Sequence, residues 1–463
     1  MLKEKTLDYA RASVGDLARA LERREVSAIE LFDEAVRAIE AKDGPINAVV
    51  VRDFDRAREA AKAADAALAR GESRPLLGVP MTVKDSHHIA GLPTTWGLAP
   101  FKDWTPSADS VGVSRLKAAG AVILGKTNIP PNLGDWQAAN PIYGRTNNPH
   151  DRSRSPGGSS GGGAAAVAAG MVPLEFGSDI GGSIRVPAHF CGVFGHKPTF
   201  ELIPTAGHAP PPIDVSGQPV EFGVVGPIAR TAADLDRALT CLAGPHGDAA
   251  AALRLALPAP RAFALKDFRV LVLTDHPLVE TDEAVRAPIE RLANQLADLG
   301  ASVSHDTPLL PDLVAAHTLY MSMLGAIMNR GAPGAPPSID AVAWMNGLDT
   351  IVGNRRLWRA LFAEHDVVLA PPFGVPAFPH NDRKWEERTL EVNGRQTPYG
   401  AQIGWPGIAA FAGLPATCAP IARTASGLPT GVQIIGPFLE DRTPIAFAGQ
   451  LERELGLTAI LPG

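Results

Sequence analysis

What this chain lacks narrows its chemistry before any motif is read. It has 463 residues and only three cysteines, Cys191, Cys241 and Cys418. An odd number that small in a chain that long argues against a disulfide scaffold and for a reducing compartment. Basic residues do not outnumber acidic ones, 43 Lys+Arg against 49 Asp+Glu, for a net charge of −6. There is no surplus to bind nucleic acid and no strong acidic tail, so a small, weakly ionic ligand is expected. No uncharged apolar run approaches spanning length, which excludes stable membrane insertion. The N-terminus, Met1-Leu2-Lys3-Glu4-Lys5-Thr6-Leu7-Asp8, carries charges where a signal peptide has its apolar region, and the chain reads as cytoplasmic. No His-Glu-x-x-His pattern exists and the adjacent His87 and His88 suit one site poorly, so no metal and no cofactor are expected.

What is present is an ordinary globular composition, 45% hydrophobic and 20% charged. No repeat period appears, and no linker is long or polar enough to divide the chain. The expectation is one α/β domain over 1–463, with a central mixed twisted sheet covered by helices on both faces. Within it, 1–71 reads as a helical scaffold, 72–200 as the core that carries the motifs, and 201–463 as the rest of the sheet and the pocket walls.

The element pattern supports this. Ser27-Ala28-Ile29-Glu30 is a capping box before Ile29, Phe32, Val36 and Ile39 at helical spacing. Ser13 caps a shorter helix, and Asp53 to Arg70 is an Ala-rich helix ended by Gly71. From Pro75 short apolar runs alternate with helices. Strands are predicted at Leu76 to Val83, Ala121 to Gly125, Arg269 to Thr274, Val367 to Ala370 and Val432 to Ile435. Helices are predicted at Val111 to Ala119, 163–170, Glu283 to Leu299 and Pro444 to Leu455. Residues 313–328 form a Met-rich apolar helix without charge, read as core, with a pocket wall as the alternative. Ala209-Pro210-Pro211-Pro212 is a stiff loop expected beside the pocket.

The chain is organised around Pro156 to Pro198. Ser159 sits in Gly157-Gly158-Ser159-Ser160-Gly161, and Ser183 in Gly181-Gly182-Ser183. Glycines let the main chain turn and a substrate approach closely, and exposed N–H groups beside a hydroxyl are what acyl transfer needs. Lys84, after the apolar run from Leu76, is the third residue of interest. Alone it reads as a strand-end lysine facing solvent or pairing with Asp85.

Residues 78–85, 157–163 and 177–187 together closely resemble the amidase signature family, which hydrolyses amides with a Ser-Ser-Lys triad. The resemblance implies that Ser183 attacks the carbonyl, Ser159 relays the proton and Lys84 is the base, with the Gly158–Ser159 peptide cis. Lysine ordinarily holds its proton to a pKa of about 10.4, so a base here needs burial or nearby positive charge, and alkaline pH optima follow. The oxyanion would be held by N–H groups of Ile180, Gly181, Gly182 and Ser183, with Asp179 and Arg185 bracing the loop. Fold and activity implied are those of a stand-alone bacterial-type amidase, cleaving small carboxylic acid amides, and also anilides, esters or carbamates, through an acyl-serine to acid plus ammonia or amine.

Trp136, Ile142 and Tyr143 lie where the family places pocket residues, and Trp344, Trp358, Phe373 and Phe378 are further candidates for the walls. The partner expected is a small-molecule amide, with a homodimer left open. Two other functions compete. The amidase subunit of a tRNA-dependent amidotransferase belongs to the same family and works in an assembly. Gly157 to Gly161 also satisfies the Gly-x-Ser-x-Gly elbow of a serine esterase of the α/β-hydrolase type, which needs an apolar strand just before it. Cys191, among Phe190, Val193 and Phe194, reads as packing and not as a thiol nucleophile.

Overall fold

A computed structural model describes residues 7–214, 219–330 and 339–462. The charged stretch 1–6 lies outside the described residues. Eleven strands form one mixed sheet, in the order Val49–Arg52, Val122–Thr127, Pro80–Lys84, Leu174–Asp179, Val224–Ala229, Phe194–Lys197, Ala416–Arg423, Pro429–Ile435, Val367–Ala370, Arg269–Val272 and Ser302–Ser304. Pro80–Lys84 runs parallel to both of its neighbours, whereas Leu174–Asp179 is antiparallel to Val224–Ala229. Helices flank this sheet.

Local chemistry explains the helices. Ser13 and Ser27 each make a full capping box, with Asp16 and Glu30, at the head of helices Val14–Glu22 and Ala28–Lys42. Helix Gly161–Ala168 consists of Gly, Ala and Val, all buried, and lies close against the sheet.

Three differences from the sequence reading have physical causes. The strand that delivers Lys84 begins at Pro80, not Leu76. Residues 76–79 turn instead, with the Val79 N–H donating to Leu76 O and Gly78 at φ +80°. They are apolar because Leu76, Leu77 and Val79 are buried in the core, not because they are pleated. The strand after Gly120 runs on to Thr127 and so includes Lys126. The helix before the second motif starts at Gly161, inside the glycine run.

The core has two main parts. One hydrophobic cluster joins the N-terminal helices to most of the sheet. A second gathers Trp136, Phe190, Tyr320, Met323, Phe373, Tyr399 and Phe411 beyond the end of the Asp179 strand. Helix Leu313–Met328 spans the predicted range but buries only one side, through Leu313, Tyr320, Met323 and Leu324. Trp358 is a correction: it stacks on Phe362 at 5.8 Å in a third cluster with Trp405, away from Trp136, Phe373 and Phe378.

Candidate active site

The end of the Pro80–Lys84 strand meets both glycine-rich turns. Lys84 is fully buried. Its Nζ lies 2.7 Å from Ser159 Oγ and 2.9 Å from Ser178 Oγ. Successive strand residues point to opposite faces, and Asp85 pairs not with Lys84 but with Lys126, at 2.8 Å in a fully buried ion pair. Burial pushes the Lys84 pKa down to about 7 against the opposing charges of Asp179 and Glu175.

Ser159 follows a Gly158–Ser159 peptide that is cis. A Cβ on Gly158 would lie 2.3 Å from Asp135 O, so no other residue fits there. Ser160 joins the motifs: its N–H donates to Ser183 O at 3.1 Å and its hydroxyl to Ser178 O at 3.2 Å. Ser183 is buried, at 6% exposure.

The turn from Ile180 to Ser183 is held from three sides. Within it, Asp179 accepts the Gly182 and Ile184 N–H groups at 2.8 and 3.0 Å. Trp136 Nε1 donates to Gly181 O at 3.0 Å and the Tyr320 hydroxyl to Ile180 O at 2.7 Å. The Gly182 N–H, expected among four oxyanion donors, is committed to Asp179. Among the described residues the N–H groups of Ile180, Gly181 and Ser183 have no protein acceptor.

Asp179 and Arg185 form a fully buried pair at 2.9 Å. Burial alone would raise the Asp179 carboxyl, but the charge and hydrogen bonds of Arg185, with the Ile184 N–H, outweigh it and hold the group well below the carboxylate range. Arg185 also donates to Pro406 O and to Gln433 Oε1, both at 2.9 Å, which ties the turn to the far half of the sheet.

Of the pocket candidates, Trp136 meets the turn directly, and Phe373 packs on it with ring centroids 4.9 Å apart. Phe378 and the half-buried Trp344 belong to the same cluster. Ile142 and Tyr143 do not join them. Their N–H groups cap Asn140 Oδ1, at 3.0 and 2.9 Å, and the Tyr143 phenol lies near Thr95 and Asp85. Ala209 O lies 3.3 Å from His88 Nε2, and His87 stacks on Phe176 at 4.2 Å. Ser178, Glu175 and Tyr320 are not among the residues the sequence reading assigns to the site; their place in the fold brings them to it.

The elbow alternative fails on structure. Residues 149–160 are turns and coil with one isolated bridge at Arg154, and no strand enters the first glycine motif. Cys191 is buried, its Sγ donating to Pro156 O at 3.3 Å, and burial raises its pKa away from thiolate.

Comparison with known proteins agrees with this arrangement. The family model described as Amidase matches residues 30–332 and 340–444. Fatty-acid amide hydrolase 2-A of Danio rerio is 31% identical over 97% of this chain and 91% of its own. A glutamyl-tRNA(Gln) amidotransferase subunit of Anaeromyxobacter sp. is 32% identical over 97% of each. The crystal structure of a bacterial aryl acylamidase of the amidase signature family superposes with a TM-score of 0.78 at 25% identity, covering 96% of both chains. Similarity of that extent, over the whole chain and through the motifs that build the buried lysine site, places this chain in the amidase family, whose members hydrolyse amide C–N bonds.

Proposed function

We propose that Ser183 is the nucleophile, Ser159 the proton relay and Lys84 the base of this amide hydrolase. The observation that carries the reading is the 2.7 Å approach of a fully buried Lys84 Nζ to Ser159 Oγ. A neutral amine has two N–H groups and one lone pair. Ser178 Oγ, at 2.9 Å, accepts one N–H, and the lone pair then faces the Ser159 hydroxyl. With its pKa brought down to about 7, Lys84 is substantially neutral at physiological pH.

The reaction then runs in two halves. As Ser183 Oγ bonds to the carbonyl carbon, its proton passes to Ser159 and the Ser159 proton to Lys84. The oxyanion is met by the N–H groups of Ile180, Gly181 and Ser183. Lys84 returns the proton through Ser159 to the leaving nitrogen, the C–N bond breaks, and ammonia or an amine departs. Water, activated by the same relay, hydrolyses the acyl-serine and releases the acid.

An apolar acyl group suits the walls. Trp136, Tyr320, Leu324 and the partly buried Ile180 and Met328 belong to one hydrophobic cluster around the turn. All three cysteines are free, which supports a reducing, cytoplasmic setting. Assembly as a homodimer is read by sedimentation.

The test is covalent labelling with a fluorophosphonate, followed by intact mass and peptide mapping. The expected result is one adduct on Ser183, absent in Lys84→Ala. Label on Ser159, or undiminished labelling in Lys84→Ala, overturns the assignment. A panel of amides, anilides, esters and carbamates, run without ATP or tRNA, then separates a stand-alone amidase from an amidotransferase component, which needs its partners.

A further inference from the structure

The buried site holds a second acid that the relay does not use. Glu175 lies on the strand beside Lys84, and Thr82 pairs with it in parallel register. Thr82 and Lys84, two residues apart, share a face of their strand. Thr127, on the other neighbouring strand, is the register partner of Lys84. Both threonine hydroxyls donate to the Glu175 carboxylate, Thr82 at 2.5 Å and Thr127 at 2.6 Å, one to each oxygen. All four side chains are fully buried.

The space for this carboxylate comes from the first glycine motif. A Cβ on Gly163 would lie 2.3 Å from Glu175 Cγ and 2.5 Å from its Oε1. Any side chain there would push Glu175 out. The last glycine of the run is thus the socket of the glutamate.

We propose that Glu175 is a positioning residue for the relay assigned above: its carboxylate, seated against Gly163 and gripped by Thr82 and Thr127, is a titratable countercharge that, beside the fixed charge of Asp179, shifts the pH at which Lys84 gives up its proton and becomes a base. The proposal rests on Lys84 being that base. The other groups facing Lys84 do not titrate in the working range. Asp179 acts on it more strongly than Glu175 does, yet is locked to Arg185 and stays charged. His208 is pushed down to about 3, and His87 well below its ordinary value, chiefly by burial, so both are neutral. Lys126 is neutralised by Asp85. Glu175 is different: burial pushes it up to about 7, against its threonine hydrogen bonds and Lys84, into the range where Lys84 itself titrates.

The test is the pH dependence of the rate at which a fluorophosphonate labels the active-site serine, which needs no knowledge of the natural substrate. Glu175→Gln keeps the shape and can bond both threonines, since a hydroxyl donates to one end of the amide and accepts from the other. Without the countercharge Lys84 loses its proton more readily. The expected result is an acid limb moved to lower pH by about half a unit or more, with the high-pH plateau within about threefold of wild type. A midpoint that stays put, or moves up, overturns the proposal, as does a lower plateau alone, which is what a merely structural role produces. Thr82→Val is the second variant should Glu175→Gln not fold. It removes one donor, disfavours the carboxylate and shifts the midpoint in the same direction, and an unmoved midpoint there counts equally against the proposal. Lys84→Ala separates the two readings: if it abolishes labelling while the midpoint of Glu175→Gln is unmoved, only the role of Glu175 falls, whereas labelling that survives in Lys84→Ala removes the base itself.

Discussion

Replacing Asp179 by asparagine tests how the oxyanion turn is held. The carboxylate accepts five hydrogen bonds, from the N–H groups of Gly182, Ile184 and Arg185 and from two nitrogens of the Arg185 guanidinium. Both side chains of the pair are fully buried. Asparagine removes the charge and turns an N–H₂ group toward donors. Removing one partner of a buried pair costs about 3–5 kcal/mol, because the other charge is left uncompensated. A buried N–H without an acceptor adds about 1–3 kcal/mol. Arg185 keeps Pro406 O and Gln433 Oε1, which sets the expected loss near the lower end, about 4 kcal/mol. Against a typical domain stability of about 5–15 kcal/mol that is a large fraction. Urea unfolding measures it. In parallel, labelling of Ser183 by a fluorophosphonate should slow about 100-fold or more, the scale of losing one oxyanion donor, because the released Gly182 N–H lets the turn drift. Asp179→Asn with Arg185→Gln should recover part of the stability, since no unpaired charge remains, and none of the labelling rate. A single variant within about 1 kcal/mol of wild type, labelled at the wild-type rate, would falsify the bracing argument.

Three further outcomes follow from the same geometry. Tyr320→Phe removes only the hydroxyl bonded to Ile180 O; labelling should slow about fivefold, the worth of one hydrogen bond, and unchanged labelling would mean that this carbonyl needs no tether. Lys84 releases its proton near pH 7 in the folded chain but near 10.4 when unfolded, so the unfolded chain binds the extra proton between those values and stability rises with pH across that window. Lys84→Met should flatten that rise by up to about 1.4 kcal/mol per pH unit in paired denaturation curves, and parallel curves would show that Lys84 is not desolvated. In the native protein iodoacetamide should modify only the half-buried Cys241, slowly because burial pushes its pKa up to about 11, and modification of Cys191 or Cys418 by mass mapping contradicts their burial.

Much of the site is legible in the sequence because its residues sit in local, glycine-marked turns. Ser159, Ser183 and Lys84 are named through the family resemblance that their order and flanking glycines carry, since Lys84 alone reads as a strand-end lysine. The oxyanion turn is legible as a segment, but which N–H groups stay free depends on where Asp179 points. The strand limit fails at Leu76 because burial without pleating leaves the same apolar run. Helix Ala341–Glu364 escapes the pattern, since Gly347, Gly353 and Asn354 interrupt an already weak apolar stripe. Proximity to the motifs suggests Ile142 and Tyr143, yet both N–H groups bond Asn140 Oδ1 and the Tyr143 phenol lies toward Thr95 and Asp85. Ser178 and Glu175 are hidden in a run that looks like plain core. The clue is a glutamate in a buried strand downstream of three consecutive glycines, but only the fold shows that glycine and carboxylate meet.

The two main hydrophobic clusters give the molecule a division of labour. On the proposed reading, the groups that move protons are one strand-end lysine and two serines in glycine-rich turns, beside strands whose packing belongs to the first cluster. The surface proposed to meet the rest of a substrate is drawn largely from residues 320–411, with Trp136 reaching across. The two segments meet around the turn through the hydrogen bonds of Trp136, Tyr320 and Arg185, and beside it through Arg388 and Tyr399, which both bond Asp135. On the same reading, a substitution among residues 320–411 should alter which acyl group fits before it alters the pH dependence of the relay, since that dependence is set by groups on the other segment.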